Sequence, residues 1–144
     1  MRTIAIAFIL TSAHAAACLG GAEDSIRSEN QQLRRSVRAT NRTGYKILQI
    51  DANDGTVLKE YINSAGLVFG VTWQTSHVPN LRQWLGVHFT DFQRAAKTAG
   101  HQHGPLVIRT EHIVVESQGH MRSFHGHAFV PRLMPPTLSE AIFQ

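Results

Sequence analysis

The hydrophobic period of the chain changes twice, and each change marks a different kind of element. Residues 4–10, Ile4-Ala5-Ile6-Ala7-Phe8-Ile9-Leu10, are an unbroken apolar run. It is far shorter than the roughly 20 residues that span a bilayer, and no later stretch is long enough, so no transmembrane segment is expected. Asp24 or Ser25 can cap a helix running to about Arg38, with Ile26, Leu33 and Val37 forming a thin apolar stripe. Thr40 to Gly44 then reads as a linker.

From Tyr45 the period becomes two. Tyr45 to Asp51 predicts a strand, Asn53-Asp54-Gly55 a turn that tolerates positive φ, and Thr56 to Ile62 the returning strand. A turn at Asn63-Ser64-Ala65-Gly66 leads into Leu67 to Gln74, where Leu67, Phe69, Val71 and Trp73 share a face. Such alternation predicts a three-strand antiparallel meander with one face on a core and the other in water. Asn80 can cap a helix to about Lys97, because Leu81, Trp84, Leu85, His88, Phe92 and Ala95 or Ala96 recur at helical spacing. Gly86 interrupts that pattern, and close packing against a bulky neighbour would explain it. Three more strands are expected at Leu106 to Arg109, Ile113 to Ser117 and Met121 to Val130, the last two joined by a turn at Gln118-Gly119-His120. The fold class is α+β: an antiparallel sheet packed on one main helix, with an N-terminal helix or arm.

Composition narrows this further. The 144 residues are 42% hydrophobic and 17% charged, which suits one small packed domain rather than a disordered chain. One cysteine excludes an intramolecular disulfide. A cationic Met1-Arg2-Thr3, the apolar run and the small residues from Thr11 to Ala17 have the layout of a secretory signal peptide, cleaved after Ala15 or Ala17. The expected organisation is therefore a signal peptide at 1–17, a helical arm and linker at 18–44, and one domain at 45–144. Ala15-Ala16-Ala17-Cys18 resembles a bacterial lipoprotein processing site, but alanine stands where a large aliphatic residue is usual. A soluble exported chain, periplasmic or extracellular, is favoured over an outer-membrane lipoprotein with a lipid anchor at Cys18.

Leu19-Gly20-Gly21, Gly55 to Tyr61, Ala65 to Trp73, Asn80 to Gly86 and Gly119 to Phe124 resemble segments of an exported proteobacterial family known as domain of unknown function 2844. The resemblance runs in order through most of the mature chain. It implies export and a single domain, and it carries no assigned activity, ligand or catalytic residue. It also implies a basic residue at the position of His127 and a variable loop around His101 and His103.

The candidate chemistry lies in nine histidines. His101 and His103 fall in a loop, and His125 and His127 share a strand face, so two pairs could offer four imidazoles to Zn²⁺, Cu²⁺ or Ni²⁺. No carboxylate or thiolate stands at ligand spacing, so polar surface histidines are the favoured reading. Ser117 with His120, and His88 with Asp91, lack the surroundings of a nucleophile and its base. Glu60 and Glu116 would have to converge to act as an acid–base pair, and exposed strand charges are the default. Tyr61, Phe69, Trp73, Trp84, Phe89, Phe92 and Phe124 sit at periods that bury them, with one or two left to line a groove between helix and sheet.

Arg34, Arg35, Arg38 and Arg42 cluster after the signal region, and the formal net charge is +4. Without interleaved aromatics in an exported chain, a solvated face or an anionic envelope surface fits them better than nucleic acid. No catalytic, cofactor-binding or metal residue is assigned. The expected function is a non-catalytic module that binds an envelope protein or cell-surface component. Histidine-mediated binding of a divalent metal or small ligand is the alternative, and an unrecognised hydrolase the third reading.

Overall fold

A computed structural model describes residues 18–24, 36–100 and 104–144. The expected signal peptide, most of the N-terminal helix with Arg34 and Arg35, and the His101/His103 pair lie outside them. Strands β1 (Ser36–Arg42), β2 (Tyr45–Asp51), β3 (Val57–Asn63) and β4 (Val68–Thr75) precede helices α1 (Leu81–Leu85) and α2 (Phe89–Ala99). Strands β5 (Leu106–Arg109), β6 (Val114–His120) and β7 (Ser123–Phe129) follow. The seven strands form one sheet in the order β1-β2-β3-β4-β7-β6-β5, with every neighbouring pair antiparallel. The helices carry the chain from the centre of the sheet to its far edge, and a second meander returns it to pair β7 with β4. The protein is α+β, and among the described residues no helix is long and apolar enough to cross a membrane.

Four strands, not three, come before the helices. Ser36–Arg42, expected as a helix end and a linker, pairs along its whole length with β2, so the sheet begins ahead of residue 45. Helical spacing of a few apolar residues is weak evidence beside a ready β2 edge, and Val37 packs on the core from an extended backbone. The turn between β6 and β7 also falls later than expected, at Met121 and Arg122, with φ of 44° and 66°. Positive φ at both central residues matches the twist of a two-residue hairpin. Gly119 stays in the strand as the cross-strand partner of Phe124, whose ring occupies the space a side chain there would take.

The expected continuous helix is broken at Gly86. Asn80 does cap α1, accepting the Gln83 N–H at 3.2 Å, but Gly86 adopts φ 53° and a 3₁₀ turn runs to His88 before α2 starts. A Cβ on Gly86 would lie 2.8 Å from Cys18 Cβ and 3.1 Å from its Sγ. The neighbour that requires glycine is therefore the N-terminal segment. Leu19 N–H donates to the Trp84 carbonyl at 3.0 Å, Gly20 N–H to Val68 at 2.8 Å, and Leu19 is 1% exposed.

Both faces of the sheet are used. On one, Leu48, Ile50, Leu58, Val71, Trp73, Val115 and Ala128 pack against Trp84, Leu85 and Phe92 of the helices. On the other, expected to face water, Tyr61, Phe69, Val114 and Phe129 are buried under the C-terminal segment, chiefly Phe143. A bulge between β3 and β4 supports this second cluster. Tyr61 pairs with Gly70 and Ile62 with Val68, which leaves Phe69 as the extra residue. An extra residue breaks alternation, so Phe69 joins the same side as Tyr61 while Val68 and Val71 both pack toward the helices.

Candidate functional site

The register sorts the second face into rows that run across the strands. Ile47, Tyr61, Gly70, Phe129, Val114 and Arg109 are successive cross-strand partners and make a mainly apolar row. Two residues along each strand, Arg38, Gln49, Lys59, Thr72, His127, Glu116 and Val107 make a polar one. Beyond it lie Asp51, Val57, Gln74, His125 and Gln118.

The C-terminal segment treats these rows differently. From a 3₁₀ turn at Pro131–Leu133 the chain crosses to a second at Glu140–Phe143 and puts the Phe143 ring over the apolar row. That ring stacks on Phe129 (centroids 5.2 Å apart, 20°) and on His127 (5.5 Å, 13°), and meets Tyr61 edge-on at 4.9 Å. Gly70 lies beneath it, where any side chain would collide with the ring. Asn63 Nδ2 donates to the Leu133 carbonyl at 3.0 Å, and Arg109 ties the last turn to the sheet, donating to Glu140 at 2.7 Å and to Glu116 at 3.1 Å. The Glu140 hydrogen bond holds the Arg109 guanidinium above its ordinary pKa.

The polar rows remain open as a groove of about 770 Å³, with Gln49, Lys59, Thr72, Gln74, His125 and Gln118 along it and Phe143 and Gln144 at its wall. Lys59, Gln74, His125 and Gln118 are exposed. Burial pushes the His127 imidazole below its usual pKa, against the opposing pull of Glu116 and Glu140. Its ring lies stacked on Phe143. Asp51, at the far end, is held low by hydrogen bonds from Gln49 and Arg38.

The other candidates do not assemble. Glu60 is fully buried on the helix face, opposite Leu48 and Val71, rather than being an exposed strand charge. Glu116 lies on the groove face, so the two carboxylates stand on opposite sides of the sheet. Ser117 and His120 are three apart on β6 and therefore also face opposite ways. His88 sits in the turn between the helices with its pKa lowered by burial and by Arg132, while Asp91 pairs with Arg94 at 3.4 Å. His125 and His127 do share the groove face. Among the described residues, no group of three or more His, Cys, Asp or Glu side chains is placed to hold a metal ion. Arg38 salt-bridges Asp51 at 2.7 Å.

The groove lies across the sheet from the helices rather than between helix and sheet. The residues that shape it and were missed in the sequence are Gly70, Phe129, Phe143 and the Arg109–Glu140 pair. Its polar lining was legible as the solvent side of each alternating strand, with a glutamine recurring in β2, β4 and β6.

A family model matches residues 15–142, and that family is described as Protein of unknown function (DUF2844). Comparison with curated proteins gave no match, and comparison with solved structures gave none.

Proposed function

The chain belongs to the DUF2844 family, and on that premise we propose that it is an exported binding module of the cell envelope with no catalytic activity of its own. One observation carries the reading: the groove of about 770 Å³ presents carboxamides, an ammonium, a hydroxyl and imidazoles along an open sheet face. Those groups donate and accept hydrogen bonds. Ser117 and His120, like Glu60 and Glu116, fall on opposite faces of the sheet, and Asp91 is engaged by Arg94, which supports binding over hydrolysis.

Export is supported by the charged, apolar and small-residue layout of residues 1–17. Intact mass and N-terminal analysis of the protein from fractionated host cells tests it. A mature chain starting near Ala16 makes it a soluble exported protein, a chain starting at Cys18 with added acyl mass makes it an anchored one, and an unprocessed Met1 in the cytoplasm overturns export.

Binding is tested by capture from envelope extract on the immobilised mature chain. A saturable partner retained by the native chain and lost with Gln74→Trp, which obstructs the groove midway along its length, is the expected result. No saturable partner, or equal retention by both chains, overturns the reading. Isothermal titration with Zn²⁺, Cu²⁺ and Ni²⁺ separates the histidine-based alternative, which requires binding tighter than about 10 μM.

A further inference from the structure

The shape of the groove restricts what can occupy it. Its lining residues come from β2, β3, β4, β7, β6 and β5, so its long axis crosses six neighbouring strands. At about 4.8 Å per strand spacing this is about 24 Å of floor, the length of roughly seven residues of extended peptide at about 3.3 Å each. A compact small molecule would leave most of that floor bare, whereas a linear chain would cover it.

The lining then separates the linear chains. Sugar polymers gain much of their hold by laying ring faces on exposed aromatic side chains, and here the aromatics beside the groove are spent inside the protein. Phe143 is 8% exposed, packed on Tyr61 and Phe129, and Trp73 is 3% exposed in the helix-side core. What the groove offers instead are the exposed carboxamides of Gln74 and Gln118, able to donate and accept toward a peptide group, beside that of Gln49, which already donates to Asp51 at 2.9 Å. Charge gives the last selection. Glu116 is engaged by Arg109, and Arg38 by Asp51. Lys59, exposed between Gln49 and Thr72, has no ion-pair partner among the described residues.

We propose that this groove binds an extended acidic peptide segment laid across the strands, its main-chain amides meeting the glutamine side chains and a carboxylate meeting Lys59. The inference rests on the binding-module reading above and adds the chemistry of the partner.

A random nonapeptide library displayed on phage and panned on the mature protein tests it, with an array of envelope glycans run in parallel. Enriched peptides should carry Asp or Glu near their centre. As synthetic peptides in fluorescence anisotropy they should bind Lys59→Gln at least about tenfold more weakly than the native chain, the loss expected for one charged hydrogen bond, and should fail on Gln74→Trp. Thermal unfolding of both variants at the native temperature keeps misfolding from imitating that loss. Enrichment without acidic residues, or equal binding to the variants, overturns the proposal, as does a glycan hit that Gln74→Trp abolishes in place of any peptide. Because envelope capture is scored separately, a retained partner with no acidic peptide sinks this inference and leaves the binding module standing; loss of both sinks the reading beneath it.

Discussion

Tyr61, Gly70 and Phe129 stand two residues along their strands from Lys59, Thr72 and His127, on the same face of the same sheet. The first three lie under a roof supplied by the chain itself, and the second three border open space. The difference follows from the floor. Where the row is apolar, covering it removes hydrocarbon from water and the C-terminal residues gain by folding back. Where it is polar, a cover would have to replace every hydrogen bond to water that it displaced, and the segment brings only Phe143 and Gln144 to the groove wall. One face therefore holds a second core and an open polar groove side by side, and His127 belongs to both, its ring against Phe143 and its cross-strand partner Glu116 on the groove.

The strongest way to break this contrast is to remove the roof. Phe143→Ala deletes the ring shared by Tyr61, Phe129 and His127 and should cost about 3 kcal/mol in urea unfolding, the low end for a buried phenylalanine because a terminal segment can partly collapse. Gln74→Ala, exposed on the open rows, should stay within about 0.5 kcal/mol. Similar costs for the two would mean that the roofed half is no core. Gly70→Ala comes next. The added methyl meets the Phe143 ring, and overpacking of that kind costs about 1–3 kcal/mol. The double variant with Phe143→Ala should recover most of that loss; full additivity would place the strain elsewhere.

These positions also show what alternation could and could not disclose. The presence of strands between Tyr45 and Gln74 and after Leu106 was readable from a period of two, but the bulge turns Phe69 away from the face expected with Val71 and Trp73. The groove's lining was readable for the same reason, as the polar side of those strands. What covers a face is a different matter. Phe143 meets Gly70 across more than 70 positions, and a lone glycine in a strand does not announce which ring will fill its space. Nor did Glu60 signal its burial, since the same alternation that predicts a facing direction cannot say that a carboxylate on the core side will be accepted there. Ser36–Arg42 failed differently: a short polar segment has little local preference, and its strand conformation is imposed by the β2 edge it joins.

Arg109 joins the roof to the groove floor and sharpens the comparison at smaller scale. Its side chain is half exposed, so Arg109→Gln should cost under about 1 kcal/mol of stability. The change should nevertheless raise amide hydrogen exchange in residues 140–143 while leaving β3 and β4 protected. Uniform loss of protection across the sheet would show the turn to be part of one cooperative unit rather than a locally latched one.

The smallest expected effect is a pH dependence to which one histidine on each side of the sheet contributes. Burial depresses His127, and His88 on the opposite face, relative to an unfolded value of about 6.5. On acidification the unfolded chain takes up protons first, so the stability both rings contribute is complete above about pH 6.5 and is lost as pH falls through that value toward their folded pKa. Asp51 and Asp54 are shifted down by hydrogen bonds and act only at lower pH, where stability falls as the unfolded carboxylates protonate near about 3.9. Urea midpoints measured between pH 7.5 and 5 should therefore decline for the native chain and decline less for His127→Gln. With His88→Gln as the second variant, the two faces can be told apart: if His127→Gln leaves the slope unchanged while His88→Gln removes it, the proton-sensitive contact belongs to the helix side and the roof over His127 is open enough to admit water.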